Sequence, residues 1–436
     1  MTRPGPVWTA LLGLCISLVV LGGIAWTYQI ERGIGVSIKT NPAGWTMYIT
    51  TFVFWVGIAH SGTLISAILF LLRARWRTSI FRSAEAMTVF AVMTAGLFPL
   101  IHLGRVWRFY YLFPYPNQRE LWPNFKSPLI WDVFAISTYF TISAVFFLVG
   151  MIPDLAVIRD RAKGWRRKIY TVLSFGWRGS DREWTSYLSA YVLFAGLATP
   201  LVVSVHSVVS WDFAMSIVPG WHSTIFAPYF VAGAIHSGLA MVLTLLIPLR
   251  RVLKCEDIIT LRHVDAMAKV VIFTGLIVGY AYALEFFLAW YSGNQPEYDQ
   301  FVYRATGDIA WMFWAMVAFN AAVPLALFWR KVRRNLALLF LISILINVGM
   351  WFERFVIIVS SLSHEFLPHG WGGVSLFGAG EFHWVDLAIL AGSFGWFFMW
   401  FLLFVKTLPW IAVTEVREGM HRPDEAGGGT AAGGAA

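Results

Sequence analysis

Residues 44–77 read GWTMYITTFVFWVGIAHSGTLISAILFLLRARWR, and this stretch decides the fold. It contains no Asp, Glu, Lys or Arg from residue 44 to residue 72, and three arginines follow at once. An α-helix needs about 20 mostly apolar residues to cross the hydrocarbon core of a bilayer. The stretch therefore predicts a transmembrane helix that ends in a basic cluster on the cytoplasmic side.

The rest of the chain repeats this pattern, because further apolar runs alternate with short polar loops. Ten segments in all are long enough to span a membrane. The predicted spans cover residues 7–29, 44–72, 84–112, 128–152, 185–209, 225–250, 264–291, 306–330, 334–361 and 385–405. We predict an all-α integral membrane protein with ten transmembrane helices.

The composition excludes a soluble domain. Hydrophobic residues make up 58% of the chain and charged residues only 13%, which leaves too little polar surface for water to be the main solvent. The net charge of +9 would suit a nucleic-acid ligand, but the cations lie in short clusters between apolar runs. We interpret the basic charge as membrane topology, with lipid and not nucleic acid around the chain.

The positions of the cations predict the orientation. Basic clusters follow the even-numbered helices, at residues 73–82, 159–168, 250–254 and 330–334. The loops 210–224 and 362–384 contain no Lys or Arg. Since cytoplasmic loops are enriched in these residues, both termini should be cytoplasmic.

An internal repeat is visible in the sequence. The tripeptide His-Ser-Gly at residues 60–62 recurs at residues 236–238, and a similar polar start to the following helix accompanies each copy. We predict two parallel four-helix-bundle repeats, helices 2–5 and helices 6–9, flanked by helices 1 and 10. The predicted units are residues 1–43 (first helix and outer loop), 44–209 (first bundle), 210–361 (second bundle), 362–421 (outer loop and tenth helix) and 422–436 (a disordered Gly- and Ala-rich tail).

Ionisable residues inside a span are costly and are candidates for function. His102, near the outer end of helix three, and Asp132, one turn into helix four, should lie at similar depth and form a proton-accepting pair. Arg105 should share the helix face of His102. The alternative is a structural hydrogen bond between two helices. At the repeat offset the pair is replaced by Tyr282 and Met312, an asymmetry that favours function and places the site in helices two to five.

Weaker candidates surround this pair. His60 and Tyr139 are candidate walls of the site, whereas His236, the repeat mate of His60, should be structural. Four acidic residues are candidates for a proton path: Glu85, Asp265, Glu285 and Glu353. For these acids, internal ion pairs or ordinary solvation at helix ends are the alternatives.

The sequence offers little to hold a redox centre. Cys15 and Cys255 lack the paired spacing of iron-sulfur or zinc ligands. The histidine pairs with the spacing of a haem-b bundle are His222–His236 and His369–His383. His222 and His369 fall in loops, and no second helix offers a matching pair, so we predict no haem, iron-sulfur cluster or metal in this chain.

Several long runs resemble one family of respiratory proteins. They include GIAHSGTLISAILFLLRARWR (residues 57–77), AGLFPLIHLGRVWRFYY (95–111), IVGYAYALEFFLAWYSGN (277–294) and NVGMWFERFVIIV (347–359). The chain resembles, over helices two to nine, the polysulfide-reductase membrane-subunit family, also called NrfD-like. Within it, the runs are most similar to the ActC branch, the quinol-oxidising membrane subunit of bacterial alternative complex III.

The resemblance implies a function. It implies a cofactor-free subunit of the bacterial inner membrane that oxidises menaquinol or ubiquinol near the outer face, with proton translocation as a further option. It matches His102 and Asp132 to the family's quinol pocket as proton acceptors, and Arg105 would bind a ring oxygen. The implied partners are an extracytoplasmic iron-sulfur subunit, a paralogous ten-helix membrane subunit, haem c subunits and a terminal oxidase.

Two other classes of function remain open. Parallel repeats with buried acids also describe a secondary transporter or proton channel. A transporter needs a midplane site built from both repeats, whereas the main polar cluster here is predicted at one face of one repeat. A purely structural membrane anchor fits every observation except the asymmetric His and Asp pair.

Overall fold

Ten long apolar helices dominate the structure, a computed structural model that describes residues 5–39, 43–116, 119–364 and 383–412. The helices are α1 (Pro6–Arg32), α2 (Met47–Leu71), α3 (Phe81–His102), α4 (Pro128–Arg161), α5 (Asp181–Ala214), α6 (Phe226–Val252), α7 (Leu261–Tyr291), α8 (Ala310–Phe328), α9 (Leu336–Ser363) and α10 (Trp384–Thr407). No strand occurs within these ranges. The prediction of an all-α protein with ten candidate spans is confirmed for the described residues.

The predicted end of the third helix is wrong. The apolar run suggested residues 84–112, but α3 ends at His102 because Gly104 adopts a φ of 68°, which breaks the helical path. Residues Val106–Leu112 then form a separate 3-10 helix. His102 and Arg105 therefore do not share a helix face, contrary to the prediction.

Other helices depart from the predicted bounds for local reasons. α5 starts earlier than predicted because Ser180 and Glu183 form a capping box that satisfies backbone amides at its start. α8 is a regular α-helix only over Ala310–Val317, followed by a π-helical turn, Ala318–Ala322, and a 3-10 segment, Val323–Phe328. Such irregular turns recur at functional or strained positions in helices.

The two helices that carry the His-Ser-Gly tripeptides form the centre of the packing. In α2 and α6, 83% of the most apolar window is buried, against 11% in α1. α2 packs on α3 and α6, and α6 also packs on α5, α7 and α9. Division into two parallel four-helix bundles stays a prediction, as do the predicted domain boundaries, while the predicted tail lies outside the described residues.

Glycines allow these helices to approach closely. A Cβ atom on Gly62 would collide with the Ala84 backbone and the Thr88 hydroxyl of α3. A Cβ on Gly238 would collide with the Ser61 hydroxyl of α2. The glycine of each His-Ser-Gly tripeptide therefore allows close contact between helices.

Candidate functional site

Two aspartates from consecutive helices meet near one end of the helix bundle. Asp132 lies one turn into α4 and is 5% exposed, and Asp212 lies close to the end of α5. Because α4 and α5 are antiparallel neighbours, these two positions lie on the same side of the membrane. Their carboxyl groups are within hydrogen-bonding reach of each other. A carboxylate is only an acceptor, so a hydrogen bond between the two requires a proton on one of them.

Each aspartate also offers an unused acceptor. Within the described part of the chain, Oδ1 of Asp132 and Oδ1 of Asp212 are buried and have no hydrogen-bond partner. Buried polar atoms are normally paired, so two orphaned oxygens on one pair call for an explanation. A proton shared between the two carboxyl groups, or a bound molecule with hydroxyl groups, would satisfy them.

A cavity of about 450 Å³ lies at the same ends of α4 and α5, although neither aspartate is among the residues that line it. Its walls include Trp131 and Trp211, the residues that directly precede the two aspartates, and their rings are 6.1 Å apart. The remaining walls are Ala214, Met215, Ser223, Thr224 and Ala227. A mostly apolar and aromatic cavity with a few polar groups is the usual form of a small-molecule site.

His102 lies at the end of α3 against the loop that joins α1 to α2. Lys39 Nζ donates to the His102 backbone carbonyl at 3.0 Å and lies 3.4 Å from Nε2 of the ring. The other ring nitrogen, Nδ1, is buried without a partner in the described residues. Burial lowers the pKa of Lys39 to about 8, although nearby Asp386 works against this shift.

A cluster of two histidines and a tyrosine lies between α2, α4 and α5. The rings of His60 and Tyr139 stack at 5.2 Å, and His206 of α5 meets His60 edge-on at 4.7 Å. Tyr139 is held by hydrogen bonds to the Thr63 hydroxyl at 2.7 Å and to the Ala59 carbonyl at 3.0 Å. The two residues predicted as walls of one site are therefore in contact.

The predicted pair of His102 and Asp132 is not a direct pair. None of the hydrogen bonds among the described residues joins them; each has a different partner, Lys39 and Asp212 respectively. Arg105 lies beyond the end of α3 with its side chain exposed.

Sequence reasoning missed both partners, because each is distant along the chain. Asp212 had a usable signal, as it is the one acid in the Lys- and Arg-free loop region 210–224 and follows an apolar run directly. Lys39 had a weaker signal, since it is a lysine in a loop predicted to face outward, where lysine is depleted.

The second half of the chain also buries polar groups. Glu353 forms an ion pair with Arg354 at 2.7 Å and accepts a short hydrogen bond from the Tyr282 hydroxyl. The side-chain amide of Asn320 donates to the same Tyr282 hydroxyl at 2.9 Å. Tyr282, the repeat mate of His102, is therefore part of a buried network. Arg354 also lies over the ring of Phe230, 4.3 Å from its centroid.

The other predicted proton-path acids are near cations as well. Glu285 lies 4.0 Å from Arg304 and lines a second cavity of about 260 Å³. At the opposite ends of the helices, the remaining two acids have close partners: Glu85 with Arg82 at 3.3 Å, and Asp265 with Arg333 at 2.7 Å and Lys269 at 3.1 Å. These contacts favour the ion-pair interpretation, and a proton path through the acids stays a prediction.

The histidines with haem-like spacing have other surroundings. His236 Nδ1 lies 3.0 Å from the Thr274 hydroxyl, and a Cβ added to Gly275 would lie 3.1 Å from its ring. His222 lies in the loop before α6. His369 lies outside the described residues.

The fold agrees with a known class of membrane protein. The chain belongs to the polysulphide reductase NrfD family, whose model matches residues 35–364. The predicted family is thereby confirmed.

Three relatives narrow the class further. One, from Halobacterium salinarum, is provisionally assigned as a membrane component of a dimethyl sulfoxide reductase; it is 29% identical over 80% of this chain and 76% of its own. An Hdr-like menaquinol oxidoreductase integral membrane subunit from Archaeoglobus fulgidus is 23% identical over 82% of this chain and 81% of its own length. A selenate reductase subunit from Mesobacillus selenatarsenatis is 23% identical over 52% of this chain and 54% of its own length. The chain is thus a multi-pass membrane subunit of the kind found in oxidoreductase complexes.

Proposed function

We propose that this chain is the quinol-oxidising membrane subunit of a respiratory oxidoreductase of the alternative complex III type. One observation carries the proposal: Asp132 and Asp212 each bury one carboxyl oxygen that has no hydrogen-bond partner in the described residues, and the tryptophans that directly precede them line an aromatic cavity. The name of the Archaeoglobus fulgidus relative, a menaquinol oxidoreductase subunit, supports a quinol and favours menaquinol over ubiquinol.

The cavity suits a quinol as substrate. A quinol head group is a flat, largely apolar ring with two hydroxyl groups, and its isoprenoid tail is soluble only in lipid. The faces of Trp131 and Trp211 can pack against such a ring, and the free oxygens of the two aspartates can accept from a hydroxyl. The volume of about 450 Å³ is in the range of small-molecule sites.

Oxidation of a quinol releases two electrons and two protons. The aspartate pair would take one proton, since the unpartnered Oδ1 atom of either carboxyl group can act as the acceptor. His102 would take the other through Nδ1, and Arg105 would bind a ring oxygen or stabilise the deprotonated intermediate. His60 and Tyr139 would wall the deeper part of the site.

The electrons need an acceptor outside this chain. We propose an iron-sulfur subunit docked on the outer face, within a complex that also holds a paralogous ten-helix subunit and haem c subunits. The termini would be cytoplasmic, in the inner membrane of a bacterium. Aromatic side chains exposed after α3, including Trp107 at 61% and Tyr110 at 51%, give the proposed face a surface for docking.

The test is quinol:acceptor activity per assembled complex. Asp132→Asn keeps the shape of the side chain and removes the proton acceptor, and His102→Ala removes a base and a contact to the head group. Each should lower turnover by about 100- to 10,000-fold. Met312→Leu, at the repeat mate of Asp132, should leave turnover near normal. Near-normal turnover in an assembled double variant of Asp132 and His102 would reject the site.

A second candidate function is proton translocation coupled to this oxidation. It is favoured by the buried network of Glu353, Arg354 and Tyr282, which lies close enough for Arg354 to act electrostatically on His60 and His206. Intramembrane groups of this kind are typical of proton relays. In reconstituted vesicles, Glu353→Gln should lower the number of protons released per electron with less effect on turnover. An unchanged ratio of protons to electrons would reject the relay role of Glu353 and favour a structural ion pair.

A further inference from the structure

The two ring nitrogens of His102 have different environments. Nε2 lies 3.4 Å from Nζ of Lys39, whereas Nδ1 is buried and has no partner in the described residues. A neutral imidazole carries one proton, and the nitrogen without it is the acceptor. The state of Lys39 therefore decides which nitrogen of His102 is free to accept.

Neighbouring helices hold Lys39 in place. The amide of Ile38 donates to Oδ2 of Asp386 in α10 at 2.9 Å, and Lys39 itself donates to the His102 carbonyl of α3 at 3.0 Å. Gln29 of α1 donates to the Ile101 carbonyl at 2.8 Å, next to His102. The amine is thus positioned by α3 and its segment by α10, while α1 is bonded to α3 beside His102; the segment itself lies outside the membrane-spanning helices.

The charged and titratable groups around Lys39 come from three helices. His102 of α3 is within contact, and Asp386 of α10 attracts the ammonium. Tyr48 of α2 interacts with Asp386, as does His383, which directly precedes α10. Because burial outweighs the attraction of Asp386, the pKa of Lys39 falls to about 8, so the neutral amine is accessible near physiological pH.

The two states of Lys39 have opposite consequences for His102. A charged ammonium has only donors, so Nε2 must accept and Nδ1 carries the ring proton. A neutral amine has a lone pair and can accept the Nε2 proton, which leaves Nδ1 as a free acceptor. Only the second state lets His102 take a proton from a molecule on its Nδ1 side.

We propose that Lys39 relays to the membrane surface the proton that His102 takes from the quinol, an inference that rests on the proposed function. The quinol O–H bond breaks and an Nδ1–H bond forms on His102. The Nε2–H bond breaks and an Nζ–H bond forms on Lys39, which then gives its proton to water. The second quinol proton goes to the aspartate pair and the two electrons go to the iron-sulfur acceptor, which leaves a neutral quinone. Exchange with water then moves the His102 proton from Nδ1 back to Nε2 before the next turnover.

The relay predicts a direction for the pH dependence. Each turnover must begin with a neutral Lys39, and the neutral fraction grows as the pH rises through about 8. Turnover should therefore rise with pH across this range. Arginine stays protonated at any such pH, so Lys39→Arg keeps a donor for the His102 carbonyl but cannot relay.

The experiment measures quinol:acceptor turnover per assembled complex at pH values that span the ordinary pKa of histidine (~6.5) and of lysine (~10.4). Lys39→Arg and Lys39→Met should both be about 10-fold slower or more, and neither should show the rise near pH 8. Lys126→Met, at an exposed lysine before α4, is the matched control and should keep the normal profile. A Lys39→Arg complex with the normal rate and profile would overturn the relay, since that is the outcome for a structural lysine.

A spectroscopic measurement covers the case in which a Lys39 variant does not fold. The unaltered complex is labelled with ¹⁵N-histidine and measured by solid-state NMR. The signals of His102 are assigned as those that are missing from the spectrum of the His102→Gln variant. The relay predicts that its proton moves from Nδ1 to Nε2 as the pH rises through about 8, and an unchanged tautomer contradicts it. A native complex that does not oxidise quinol would reject the proposed function itself. Normal turnover in His102→Gln with slow turnover in Asp132→Asn would reject the relay and the role of His102, and would leave the quinol site at the aspartate pair in place.

Discussion

The proposed role of the aspartate pair predicts that the effects of substituting Asp132 and Asp212 on turnover do not add. The carboxyl groups of Asp132 and Asp212 lie within reach of each other, so removal of either carboxyl group deprives the other of its neighbour. Loss of a positioned acid-base group typically costs about 100- to 10,000-fold in rate, which corresponds to about 3 to 5.5 kcal/mol in the activation barrier. Asp132→Asn and Asp212→Asn should each show a loss of this size.

The double variant distinguishes one unit from two separate groups. Residues that act together are not additive, so the Asp132→Asn, Asp212→Asn double variant should be about as slow as the slower single variant. Two independent groups would instead multiply to a loss of roughly 10⁴- to 10⁸-fold. Asp181→Asn, an exposed acid at the opposite end of α5, is the matched control and should be near normal.

The assay is steady-state quinol:acceptor turnover, normalised to assembled complex and measured at saturating quinol. Burial makes assembly a necessary readout, because Asp132 is 5% exposed and a misfolded variant would also be inactive. Normal turnover in assembled Asp212→Asn would refute the reasoning. So would a double variant whose loss equals the product of the two single losses.

Three further predictions concern topology and packing. Reporter tags in the loop between α4 and α5 should be cytoplasmic and tags between α5 and α6 external; the reverse pattern would place the site on the wrong face. Gly238→Leu should prevent assembly, because its side chain would collide with Ser61, whereas Gly13→Leu has open space and should assemble normally, as membrane yield would show. Glu353→Leu should cost about 3 to 5 kcal/mol by leaving Arg354 buried without its carboxylate, and an unchanged thermal unfolding midpoint would contradict this.

The helices were predictable because hydrophobic length alone defines a span. The uncharged run before the arginines at residues 73–77 identified α2, and the same reasoning found the other nine. Hydropathy could not place the end of α3, since the apolar and aromatic run continues past the break at Gly104. A single positive φ angle leaves little trace in an averaged hydropathy.

The individual site residues were predictable, but their partners were not. Asp132 stood out as an acid inside a span, which is rare enough to be noticed. Its contact with Asp212 depends on the antiparallel packing of α4 on α5, and that of His102 with Lys39 depends on how the α1–α2 loop folds back against α3. Such contacts are tertiary, so no spacing along the chain encodes them.

The most direct test of the account is to locate the bound quinone. A menaquinone analogue with a photoreactive head group would be activated in membranes that contain the assembled complex, and the labelled peptides would be mapped by mass spectrometry. The account predicts labelling of the start of α4 and the end of α5, around Trp131 and Trp211, that excess menaquinone suppresses. Competable labelling confined to α7, α8 and α9 would contradict it.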